Sequence, residues 1–115
     1  MKVTSRIFLS IVVAAITPMT SANAAEVWHS GKIKSIYPLA NGSFVFTMTT
    51  NSPECTSASA AKQHFVQSGQ NGMTADGVKN ILAAAMAAAA QGKDISFAYD
   101  TATSSCFVNR MLVNY

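Results

Sequence analysis

The run TADGVKNILAAAMAAAAQGKDISFAYD, Thr74 to Asp100, decides how the chain folds. It reads as a cap, a helix, a stop and a strand. Thr74 is a residue type that caps helices by accepting from a backbone N–H one turn in. Asp76 follows in the first turn, where the helix dipole favours negative charge. The capping box is incomplete, because Gly77 stands where Glu or Gln would close it. Val78, Ile81, Leu82, Ala85 and Ala89 then recur at the spacing of one helical face. Gln91-Gly92-Lys93 ends the run, with Gly92 suited to the left-handed C′ position. Beyond it the period changes to two: Ile95, Phe97 and Tyr99 alternate with Ser96 and Ala98, the pattern of a half-buried strand.

The far side of this helix is nearly all alanine: Ala83, Ala84, Ala87 and Ala90. Alanine is the strongest helix former, which by itself accounts for such a surface. The alternative is an oligomer interface, a smooth small-residue face against which a second copy packs. The apolar run is too short to span a bilayer, which takes about 20 residues.

Working outward, the N-terminus carries the features of a secretory signal peptide over residues 1–24. Lys2 and Arg6 supply the positive start, Ile7 to Ile16 the apolar stretch, and Ala22-Asn23-Ala24 an A-x-A cleavage site. This predicts export through the Sec pathway, to the periplasm or beyond. With no membrane anchor in the mature form, it leaves one domain over residues 25–115. Lys2 and Arg6 depart with the signal, so six basic groups face five acidic ones, a net of +1. That balance argues against nucleic acid as a partner.

Cys55 and Cys106 are the only cysteines. In an exported chain such a pair reads as a disulfide. No Cys-x-x-Cys or other metal-ligand spacing accompanies them, and nothing calls for a metal or cofactor.

Glu26 to Tyr37 reads as one extended strand, with a bulge or an edge near Ser35. Ala40-Asn41-Gly42 is a turn, and Ser43 to Thr49 is a strand with Phe44, Phe46 and Met48 on one face. Gln63 to Gln67 is a short third strand. Ile95 to Tyr99 and Cys106 to Tyr115 are the last two, joined by a turn at 101–105. The fold class expected is therefore β-rich α+β: a five-stranded OB-like barrel with one alanine-rich helix between strands 3 and 4. A ferredoxin-like alternative needs a second helix, which the short, Ser- and Thr-rich segment 56–62 does not supply.

The run from Gly69 to Asp100, GQNGMTADGVKNILAAAMAAAAQGKDISFAYD, is followed by SSCFVNRMLV at 104–113. Together they resemble a group of small exported bacterial proteins. They are similar to the receptor-binding B subunits of subtilase-cytotoxin and typhoid-toxin type. The resemblance covers about the last half of the mature chain. It implies an OB-fold that assembles as a ring of five, with the helices lining the pore. The chain departs from those subunits in having fewer cysteines. None of their sugar-contacting residues has a matching position here, so none is carried over, and fold can transfer without function.

Catalysis is hard to find in this sequence. Glu26, Glu54, Asp76, Asp94 and Asp100 fall in loops or element ends, where solvation and capping explain them. No G-x-S-x-G elbow is present, although His29 and His64 leave a small hydrolase as an alternative. The loop Gly69 to Gly72 precedes a helix N-terminus but lacks the P-loop Lys and Ser/Thr, and reads as an ordinary turn. Binding is easier to place. Trp28, His29 and Tyr37 lie on or beside the first strand as a candidate ligand-binding face, where an aromatic ring could stack on a sugar. For the single Trp of a small domain, core packing is the favoured reading. The function expected is an exported, non-catalytic binding or assembly module. Its partner would be a further copy of itself in a pentamer, a glycan, or another exported protein. The alternative is a monomeric periplasmic accessory or inhibitor protein.

Overall fold

Six strands and one helix make up the computed structural model, which describes residues 26–115. The signal-peptide reading of residues 1–24 lies outside the described residues. In chain order the elements are β1 Glu26–Gly31, β2 Ile33–Pro38, β3 Phe44–Met48, β4 His64–Val66, α1 Ala75–Ala90, β5 Asp94–Asp100 and β6 Val108–Asn114. They form two antiparallel three-stranded sheets, β1–β5–β6 and β2–β3–β4.

Two expectations need correction. There are six strands rather than five, and the sheets do not close into a barrel. The single first strand expected over Glu26–Tyr37 divides at Lys32: β1 pairs with β5, and β2 pairs with β3 in the other sheet. The chain changes sheets where Gly31 stands, and a Cβ there would come within 3.2 Å of Thr50 Oγ1. The Lys32 carbonyl accepts from Thr49 N–H at 2.9 Å, so the ladder to β3 resumes at once. The irregularity expected near Ser35 is present as a register shift between Ile33 and Ser35. Because of the extra strand, the helix lies between the fourth and fifth strands.

The helix begins and ends as its residues dictate. Thr74 Oγ1 accepts from Gly77 N–H at 3.0 Å, and Asp76 sits in the first turn. Gly77 replaces the capping-box residue in a crowded place, where a Cβ would meet Met73 Sδ at 2.8 Å. At the other end Gly92, at φ +62°, donates to Ala89 O, and Lys93 N–H donates to Ala88 O at 2.9 Å. These two bonds are those of a Schellman motif. Val78, Ala85 and Ala88 are buried, with Ile81 and Leu82 packed at their margin. Ala89, expected on that face, is exposed, because the buried stripe ends on a three-residue step to Ala88.

The two sheets meet through aromatic side chains. Phe46 on β3 and Phe97 on β5 contact edge to face, with ring centroids 4.9 Å apart. Phe44, Met48, Val66, Ile95, Tyr99 and Val108 complete the interior around them. The expected disulfide is present. Cys55 and Cys106 lie 5.8 Å apart at Cα, both buried, and join the β3–β4 loop to the residue pair before β6. A second tie is polar. Asn71 Nδ2 donates to Phe107 O at 2.9 Å, and Asn109 Nδ2 donates back to Asn71 O at 2.6 Å.

The disulfide closes a loop of sequence separation 51. Removing it by Cys55→Ala with Cys106→Ala releases that constraint on the unfolded chain, worth about 4 kcal/mol. Urea unfolding should show a loss of this size, enough to leave a small domain marginal at 37 °C.

Candidate functional site

The outer face of the β1–β5–β6 sheet carries the most distinctive exposed chemistry. Successive strand residues point to opposite faces, so Glu26, Trp28 and Ser30 lie outward on β1 while Val27 and His29 lie inward. Trp28 is 51% exposed. This corrects the core-packing preference for it, and the reason is cross-strand. Trp28 pairs with Ala98, and Ala98 pairs in turn with Arg110. Two large side chains thus flank a small one, and Ala98 is fully buried between them. The Arg110 guanidinium stands 5.3 Å from the indole centroid, close enough for a cation–π contact. Arg110 also pairs with Glu26. The ion pair fixes Arg110, and Arg110 in turn holds the indole.

Further along the same face, Ser30 and Ser96 share a hydrogen bond of 2.7 Å, and Asn114 Nδ2 donates to Ser96 Oγ at 3.1 Å. Leu112 beside them is 54% exposed. The face therefore offers one aromatic plate, a row of hydroxyl and amide groups, and an apolar margin.

The three candidate binding residues do not converge. His29 turns inward, with Nε2 2.8 Å from Thr50 O and its ring edge-on to Phe97. Tyr37 is on β2, opposite Val45, in the other sheet. Of the expected trio, only Trp28 lies on the outer face of the β1–β5–β6 sheet. Arg110, which shapes the site, carries no local signal: it is one polar residue in an alternating strand.

The helix face identified as a possible interface lies at the surface. Ala83, Ala87 and Ala90 are exposed and Ala84 is half-buried. Met86, between them, is 56% exposed.

The interior holds a polar chain that sequence reading did not assemble. His64 Nδ1 lies 3.3 Å from Cys106 O, and its Nε2 lies 2.7 Å from Ser52 Oγ. A carbonyl only accepts, so Nδ1 carries the proton and Ser52 donates to Nε2. This orientation is that of a Ser–His pair with a peptide carbonyl in place of the carboxylate. Ser52 and His64 are both fully buried, so the pair meets no solvent. His64 stacks on Phe46 and meets Phe97 and Tyr99 edge-on. Cys55, His64 and Cys106 bring their ligand atoms within 4.8 Å of one another. The two sulfurs are bonded to each other, however, and a disulfide has no thiolate to offer a metal.

The carboxylates sit apart. Asp94 pairs with Lys32 at 2.6 Å and Glu26 with Arg110. Burial raises the Asp100 carboxyl above its ordinary value, against a hydrogen bond from the Ala102 backbone. Burial likewise raises the Tyr99 phenol. Among the described residues no helix is long and apolar enough to cross a membrane. Compared with known protein families, curated proteins and solved structures, the chain finds no match.

Burial holds the His64 imidazole down to about 4, with the Cys106 hydrogen bond opposing and the charges of His29 and Lys62 reinforcing. The unfolded imidazole titrates near 6.5, so the unfolded chain binds the extra proton first. The stability that His64 contributes is complete above pH 6.5 and is lost as pH falls through about 4. The loss is on the order of 3 kcal/mol. Asp100 acts in the opposite sense. Urea midpoints should therefore fall steeply between pH 7 and pH 4.5. In the paired variant Ser52→Ala with His64→Phe, which keeps an aromatic ring in the interior and removes the titration, that fall should largely disappear.

Proposed function

We propose that the protein is an exported, non-catalytic binding module of OB type that assembles with copies of itself and presents the Trp28 face to a glycan or protein partner. Several features support the OB reading. Counted as one bent strand, β1 and β2 reduce the six strands to five, and the order β4–β3–(β2/β1)–β5–β6 follows. The helix then falls between the third and fourth strands, as in an OB-fold. The two sheets approach at the remaining edge, where Phe65 N–H donates to Ser105 O at 3.1 Å.

The observation that carries the binding reading is Trp28: the single Trp of the chain is half exposed, and an ion-paired arginine holds its ring. An indole fixed in this way loses little freedom when a sugar ring or an apolar side chain stacks on it, which favours binding. The hydroxyl and amide row beside it supplies hydrogen-bonding groups suited to a sugar. Assembly rests on the outward face of α1, where Ala83, Met86, Ala87 and Ala90 turn apolar surface to solvent. The resemblance to toxin B subunits gives a ring of five as the assembly, with helices inward. Export rests on the signal-peptide features and on the disulfide, which an oxidising compartment maintains.

The experiment is a glycan array read with the oxidised protein and with Trp28→Ala. The wild type should bind a restricted set of glycans, and the variant should bind them at least about tenfold more weakly, as expected for a truncated aromatic anchor. Equal binding by the two proteins would contradict the assignment of this face.

A further inference from the structure

A second surface, on the opposite sheet, is shaped to receive a ligand. A cleft of about 360 Å³ opens where the β2–β3 turn, the β4–α1 loop and the start of α1 meet. Its volume is within the range of small-molecule sites, roughly 300 to 1,000 Å³. Val78 forms an apolar floor, and Asn41, Ser43, Gln67, Ser68 and Lys79 supply the polar groups. Among the described residues no carboxylate lines it.

The hydrogen bonds inside the cleft fix which groups remain available. Ser43 N–H donates to Asn41 Oδ1 at 3.1 Å, and Ser43 Oγ donates to the same oxygen. A backbone N–H can only donate, so the oxygen and nitrogen of the Asn41 amide are assigned by it. The Asn41 oxygen is thus occupied from within the protein, and its NH2 group is left to donate outward. Ser43 itself is buried, which makes this turn a firm wall. Among the described residues Lys79 adds three further donors and the one formal charge of the lining, and it makes no ion pair. The cleft therefore sets one cation and the outward Asn41 donors in a lining that Ala75 and Val78 make largely apolar.

We infer that this cleft binds a small molecule carrying an oxyanion, a phosphate or a carboxylate, with Lys79 and the Asn41 amide on the anionic oxygens and the remainder of the ligand against Val78. Ionised oxygens accept hydrogen bonds and prefer charged donors, which Lys79 supplies here. The site is separate from the Trp28 face, so it stands or falls independently of glycan binding there.

The test is an amide chemical-shift titration of the oxidised full chain with three probes: inorganic phosphate, glucose 6-phosphate and glucuronate. The expected result is saturable shifts at Ser43, Ser68 and the Asn41 side-chain amide with at least one probe. The pattern across the three separates phosphate from carboxylate, and a free ion from a larger ligand. Lys79→Met should weaken that binding at least about tenfold, the loss expected for a charged hydrogen-bond donor. Lys93→Met, past the other end of the helix, should leave it unchanged. Lys79 is exposed, so the variant should keep its fold, and its own spectrum verifies this. Absence of saturable shifts with all three probes, or equal weakening by the two lysine variants, would overturn the inference.

Discussion

The apolar interface between the two sheets, centred on Phe46 and Phe97, is what the structure depends on, because each sheet must bury its inner face. Each sheet has only three strands and one apolar face, and such a face must be buried against another layer. The rings meet at 4.9 Å, and His64 is inserted among Phe46, Phe97 and Tyr99. Two covalent facts keep the faces in register. The chain passes directly from one sheet to the other at Gly31 and Lys32, and the Cys55–Cys106 bond ties the β3–β4 loop to the start of β6. The helix then covers the interior with Val78, Ala85 and Ala88.

Much of this was legible in the residues. The helix ends were readable because Thr74 and Gly92 act locally, through bonds to residues three or four positions away. The disulfide was readable because two cysteines allow one pairing. The strands around Phe46 and Phe97 were readable from alternation. What failed were features set by contacts distant in sequence. From His29 to Lys32 the residues are polar or glycine, so no alternation tracks the chain there, and Gly31 is the one local mark of the change of sheet that turns one expected strand into two. Trp28 alternates as a strand residue should, but which face is the interior depends on its partner strand. Only the pairing through Ala98 to Arg110 places it outside. Ala88 and Ala89 are chemically identical, and one step in helical phase decided between them.

The candidate site was legible in part for the same reason. Trp28 was singled out, yet His29 beside it turns to the opposite face and Tyr37 belongs to the other sheet. The buried Ser52–His64 chain joins residues twelve apart across a loop whose path the sequence does not specify. Its chemistry is that of a hydrogen-bonded interior. A neutral imidazole satisfies Ser52 and the Cys106 carbonyl at once, and without such a partner either buried group would be costly. The polar chain stabilises the fold from within, whereas the aromatic plate, the alanine face and the donor-lined cleft all face outward. The division is between a sealed interior and an exposed surface.

The outward face of α1 separates the two readings of its alanines, since helix propensity alone explains a bare surface and self-assembly requires a copy packed on it. The direct measurement is native mass spectrometry of the oxidised protein at micromolar concentration, alongside the variant Ala87→Glu with Ala90→Glu. The account predicts a dominant closed homo-oligomer, five subunits in the form proposed, for the wild type. The variant should be a folded monomer. A wild-type protein that is monomeric under these conditions would contradict it.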